Sequence, residues 1–127
     1  MKKEKKIFEF WGSCQIISSM PLEILARKIS SKLFGDAQFI EGERSIWEEI
    51  PSLYIDSSIM GMLVVLGGYG SDEGYTLSIS PYGEWSRYIH SKNLNEILVK
   101  KNLDFYLFHI LSQAFHEETG VKILNPG

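Results

Sequence analysis

The sequence predicts an α+β fold: a mostly antiparallel sheet with helices packed on one face, in the order β-α-β-β-β-(β)-α. Three observations point there. Apolar residues recur at helical spacing early, at Leu22, Leu25, Ala26, Ile29 and Leu33, and again late, at Leu103, Leu107, Ile110, Leu111 and Ala114. Between these stripes the period falls to two, as where Tyr75, Leu77 and Ile79 alternate with Thr76 and Ser78. Glycine, proline and short polar stretches separate the periodic segments. At 127 residues, 44 % of them hydrophobic, the chain is expected to form a single domain over 1–127.

Lys6 to Ile17 mixes aromatic and β-branched residues and reads as a first strand. Pro21 marks an early helical position, Glu23 lies in the first turn, and Gly35 supplies a left-handed residue at the far end, so a helix is expected between them. Gln38 to Ile40 and Ser45 to Glu49 read as short strands, with Leu53 to Ile55 continuing the extended chain. Pro51 places that stretch at an edge or a strand end. Met60 to Leu66 is the most apolar strand, joined to Gly74–Ser80 by a hairpin loop over Gly67–Glu73. Trp85 to Ile89 is one more strand candidate. Asn93 with Glu96 resembles a capping box, so a helix is expected through Leu94, Ile97 and Leu98, with Asn102 either dividing it from the Leu103–Ala114 stripe or lying inside one long helix. Gly120 ends the helical region, and the tail is short and extended. The two apolar stripes should cover the same sheet face.

Charge is unevenly spread. Asp36 to Glu84 holds nine acids and one base, Arg44, for a formal charge of −8, while the remainder carries 12 bases and 7 acids. Clustered like charge destabilises a compact state by self-repulsion, which points to a charged partner rather than to a need of the fold. The acids fall largely on the sheet and its loops, and the helices carry lysines. Trp47 adjoins Glu48 and Glu49, Tyr69 lies near Asp72 and Glu73, and Trp85 follows Glu84. Aromatic anchors within a polar rim are the composition of a protein interface. The partner-binding candidates are therefore Glu48, Glu49, Tyr69, Asp72, Glu73, Glu84 and Trp85. Trp47 and Trp85 fit either a core or an interface position.

Other chemistries find little support. Gly68-x-Gly70-x-x-x-Gly74 leads into a strand rather than a helix, has no cation, and contains Asp72 and Glu73, which repel phosphate. His90, His109, His116 and Cys14 lack a recognised metal-ligand spacing, so no metal and no cofactor is expected. Cys14 sits among apolar strand neighbours, as an inert buried thiol does. Glu48 and Glu49 point to opposite faces of a regular strand and cannot share one site. The chain is expected not to be an enzyme. The acids disfavour nucleic acid. A single cysteine fits a reducing compartment, and the N-terminus lacks an apolar signal-peptide core. The longest apolar run, Ile59–Leu66, falls short of the ~20 residues that span a bilayer. A cytoplasmic protein without membrane contact is expected.

Trp47-Glu48-Glu49-Ile50-Pro51-Ser52-Leu53-Tyr54, then Gly61–Leu66, then Gly74–Ile79 resembles the small immunity proteins of bacterial polymorphic toxin systems, contact-dependent growth inhibition among them. The resemblance covers about Leu22 to Leu98 and is one of order and spacing. It implies a cytosolic protein that neutralises a cognate toxin domain by binding it, and carries over no binding residue. With the charge pattern, the expected partner is a basic toxin domain such as a nuclease, with no small-molecule substrate. The alternative is a small ligand-binding or enzymatic α+β domain with a pocket between sheet and helices, holding His109 or His116. An adaptor whose acidic face meets another basic protein is a third.

Overall fold

A computed structural model describes residues 5–41, 50–55, 59, 61–81 and 96–127. Among them the elements run β1 (Lys5–Ser18), α1 (Leu22–Leu33), β2 (Phe39–Glu41), β3 (Ser52–Ile55), β4 (Met62–Gly70), β5 (Gly74–Pro81), β6 (Glu96–Asn102), α2 (Asp104–Ala114) and β7 (Val121–Ile123). The fold is α+β, with the strands in one open sheet of order β2-β3-β4-β5-β1-β6 and β7 beside β1. All pairings are antiparallel except β1 with β6. The long β1 serves two neighbours on one side, β6 along Lys5–Trp11 and β7 along Ile16–Ser18, while β5 takes the other side.

Alternation along the strands builds one apolar face. Cys14 and Leu66 both pair with Leu77, and Val64 pairs with Ile79, so these side chains point the same way. Leu25, Ala26 and Ile29 from α1, and Leu107, Leu111 and Phe115 from the α2 region, close over them in one cluster. Both helices thus cover the same sheet face, as their stripes predict. Each fully buried leucine there contributes about 1.5–3 kcal/mol. Glu118, beyond α2, accepts from Lys28 of α1 at 3.0 Å and lies 3.9 Å from Lys32, so the helices are also joined at their polar margin.

The helix expected through Ile97 and Leu98 is absent: Glu96–Asn102 is β6, parallel to β1. Ile97-Leu98-Val99 is a short apolar run that suits either period, and pairing with a strand about ninety residues away decides it. Asn102 belongs to neither helix. It ends β6, and its Oδ1 accepts from the Asp104 N–H at 2.8 Å where α2 begins. Asp104 Oδ1 in turn accepts from the Ser13 N–H at 2.8 Å. Gly12 permits this junction, because a Cβ there would stand 3.0 Å from the Leu103 carbonyl carbon.

The expected loop over Gly67–Glu73 is shorter than its glycines suggest. β4 continues to Gly70 with a register shift between Gly68 and Gly70, and the turn is confined to 71–73. Glycine inside a strand here marks a bulge rather than a strand end. Helix α2 stops at Phe115, before Gly120, and the tail supplies β7. The expected strands over 45–49 and 85–89, and the capping residue Asn93, lie outside the described residues. No described helix is long and apolar enough to cross a membrane.

Candidate functional site

The β4–β5 hairpin carries the part of the candidate site that the structure describes. Tyr69 is 59 % exposed at its tip, and Asp72 and Glu73 are exposed in the turn. Local sequence explains the shape: the backbone is left-handed at Gly70, Ser71 and Gly74, and the Gly74 N–H closes the turn on the Ser71 carbonyl at 3.2 Å. The tip is braced from below. The Ser71 N–H donates to the Ser18 carbonyl at 3.0 Å, and the buried Tyr75 hydroxyl donates to the Met20 carbonyl at 2.6 Å. The acceptors are the last residue of β1 and a residue of the bend that leads into α1. Burial, with the charge of Glu23 adding, pushes the Tyr75 hydroxyl above its ordinary pKa, so it stays a donor.

Ile50 is exposed beside this end of the sheet, where the Gly68 N–H donates to the Pro51 carbonyl at 2.9 Å. Exposed apolar Ile50, the tyrosine ring and two carboxylates therefore share one sheet end. Lys122 of β7 and Asp72 line a neighbouring cleft of about 500 Å³ with Ile17 and Ser19. Of the other sequence candidates, Glu48, Glu49, Glu84 and Trp85, together with Trp47, lie outside the described residues. Glu23, which precedes the acidic segment, joins this end through the packing of α1.

Two other features bear on chemistry. His109 and His116 are both exposed, on or just beyond α2, and neither faces the space between sheet and helices; His90 lies outside the described residues. His116 shares an open cleft of about 470 Å³ with Lys32 and Glu117. Cys14 is buried in the core, and its Sγ faces the carbonyls of Leu124 at 3.6 Å and Gln15 at 3.8 Å. Burial, with Asp104 adding, pushes its thiol up to about 11, so it is protonated and unreactive near neutral pH. Among the described residues no three His, Cys, Asp or Glu side chains come together as metal ligands would.

Further exposed aromatics lie midway along β1 and in the first turn of α2, with the Trp11 side chain on the strand face opposite Gly12 and Cys14. Trp11 is 42 % exposed, and Phe105 and Tyr106, in the first turn of α2, are 55 % and 59 % exposed. The Leu103 N–H donates to the Trp11 carbonyl at 2.8 Å, which brings strand and helix start together. Charge patterning does not reveal these residues. The signal was positional, because Phe105 and Tyr106 stand off the Leu103–Leu107–Leu111 stripe.

No family model, no curated protein and no solved structure matches this chain.

Proposed function

We propose that this protein is a binding module that neutralises a basic protein partner, an immunity protein occluding its cognate toxin domain, with the β4–β5 hairpin at the centre of the contact. One observation carries this: an exposed tyrosine and two exposed carboxylates on a tip that two long-range hydrogen bonds hold in place. A braced tip loses little entropy on binding, so its contacts count more fully towards affinity. Carboxylates at its edge speed encounter with a basic surface, and the tyrosine supplies apolar contact area. A nuclease is the natural toxin class, since its active site must attract phosphates and an acidic protein competes for the same field. The resemblance to toxin-system immunity proteins supports the same role.

The test is association of the Asp72→Lys/Glu73→Lys variant with the cognate toxin domain, followed across a salt series. Association should slow by about tenfold at low salt and lose much of its salt dependence, while circular dichroism stays that of the parent. Unchanged association at low salt would refute the hairpin as the contact.

A further inference from the structure

We propose that the groove between α1 and β2 receives an extended, lysine- or arginine-bearing segment of the partner, as a second part of the same interface. The inference rests on the reading that the partner is a basic protein. The groove has a volume of about 580 Å³. Its helical wall is Glu23, Ala26, Arg27 and Ser30, spaced so that all four share one face of α1. Its floor is apolar, from Phe39 of β2 and the buried Leu53 of β3. Ser30 is itself satisfied, since its hydroxyl donates to the Ala37 carbonyl, which closes the far end. The stretch of α1 from Glu23 to Ser30 makes the groove about 12 Å long, the span of roughly three to four extended residues.

Charge selects the occupant. Glu23, Asp36 and Glu41 line the groove against the single guanidinium of Arg27. Among the described residues the ion pairs are those of Glu118 with Lys28 and Lys32, so none of these three carboxylates is in an ion pair there. An anionic ligand would be repelled, and an alkyl chain ending in ammonium or guanidinium could lay its methylenes on Phe39 and Leu53 and reach the rim. Continuity makes the occupant a protein segment rather than a small amine. Glu23 is close enough to Tyr75 to raise its pKa, and the Tyr75 hydroxyl bonds the bend that supports the hairpin. One end of the groove therefore adjoins the acidic tip, and a partner seated on the hairpin can pass a strand of chain along α1.

The test uses the full chain, isotope-labelled, titrated at low ionic strength with an acetylated and amidated heptapeptide of alternating lysine and valine; its glutamate counterpart is the control. The lysine peptide should shift the amide signals of Ala26, Phe39 and Leu53, and the glutamate peptide should not. Glu23→Gln/Asp36→Asn/Glu41→Gln should weaken the lysine peptide about tenfold, the combined effect of three exposed charge pairs. Asparagine tolerates the left-handed backbone of Asp36, at φ 64°, so the variant keeps its fold, which its amide spectrum checks. Binding that the triple variant leaves unchanged, or shifts confined to Asp72 and Glu73, would overturn the proposal. The two readings fail separately. Should hairpin reversal abolish capture of the toxin domain while the peptide leaves the groove signals unmoved, the groove falls and the function stands. Should the peptide bind the groove while the hairpin variant captures the toxin domain normally, the groove stands and the hairpin falls.

Discussion

The hairpin beside the C-terminal end of β1 and the start of α2 beside its middle show two ways of presenting a surface. At the C-terminal end of β1 the hairpin exposes carboxylates and one tyrosine, and long-range hydrogen bonds to Ser18 and Met20 fix it. Beside the middle of β1, α2 exposes two aromatic rings; hydrogen bonds from the Ser13 and Leu103 N–H groups fix its start, and Leu107 and Leu111 seat its length in the core. The first surface is held by directional bonds and advertises charge. The second adds core packing to such bonds and advertises apolar area. Directional bonds position a tip at a cost of about 1 kcal/mol when one is lost, whereas removing a core leucine loosens a whole element. The two surfaces should therefore respond differently to substitution.

The largest effect is expected under α2. Leu111 is fully buried, and Leu111→Ala should lower unfolding stability by about 2–5 kcal/mol, read from denaturant midpoints. A loss under about 1 kcal/mol would mean that α2 is not seated by packing and that the contrast between the two surfaces is false.

Next comes the thiol between the two surfaces. The folded pKa of Cys14 is raised to about 11, so the neutral thiol is favoured in the folded state and the unfolded chain ionises first. Its contribution is complete below the unfolded pKa of ~9 and is lost as pH rises through about 11. Stability should fall across that window by on the order of 1 kcal/mol per pH unit, and Cys14→Ala should flatten that slope. Rapid reaction of native Cys14 with a thiol reagent near neutral pH would contradict its burial.

The same contrast explains what could be read from sequence. Helix α1 was legible because its stripe, Pro21 and Gly35 are local signals that agree. Strand β6 was not, since Ile97-Leu98-Val99 fits a buried helix turn as well as a buried strand and its partner β1 lies at the other end of the chain. Gly68 and Gly70 read as loop residues because glycine signals both turns and bulges; pairing with β5 distinguishes the two. Asp72 and Glu73 were visible in the charge pattern and do stand exposed. Glu23 was not, because it joins the acidic end through the packing of α1 rather than through its neighbours in sequence. The aromatics of α2 carry no charge signal; what marks Phe105 and Tyr106 is their place off the Leu103–Leu107–Leu111 stripe.

A smaller effect is expected at the hairpin brace. Tyr75→Phe removes the donor to Met20 and leaves that carbonyl without its hydroxyl partner in a partly buried bend, for a loss of about 0.5–1.5 kcal/mol. Hydrogen exchange at the Ser71 and Gly74 amides should quicken more than exchange in β5 at Leu77. Equal acceleration at both would show that the hydroxyl supports the sheet in general rather than the tip.

The smallest stability effect is expected at the exposed helix face, where it separates the two surfaces most sharply. Tyr106 is 59 % exposed in α2, and Tyr106→Ser should change stability by less than about 0.5 kcal/mol. Tyr69, equally exposed at the hairpin, should be as tolerant in stability but not in binding: Tyr69→Ala should raise the dissociation rate of the toxin-domain complex, by on the order of 2 kcal/mol if the ring is an anchor. Charge and aromatic area coincide at the hairpin, whereas the α2 face has aromatic area alone, so a basic partner has reason to prefer the former. Dissociation rates of the two variants decide the matter. Faster dissociation for Tyr106→Ser with Tyr69→Ala unchanged would move recognition to α2 and make apolar contact, rather than charge, the principle of the interface.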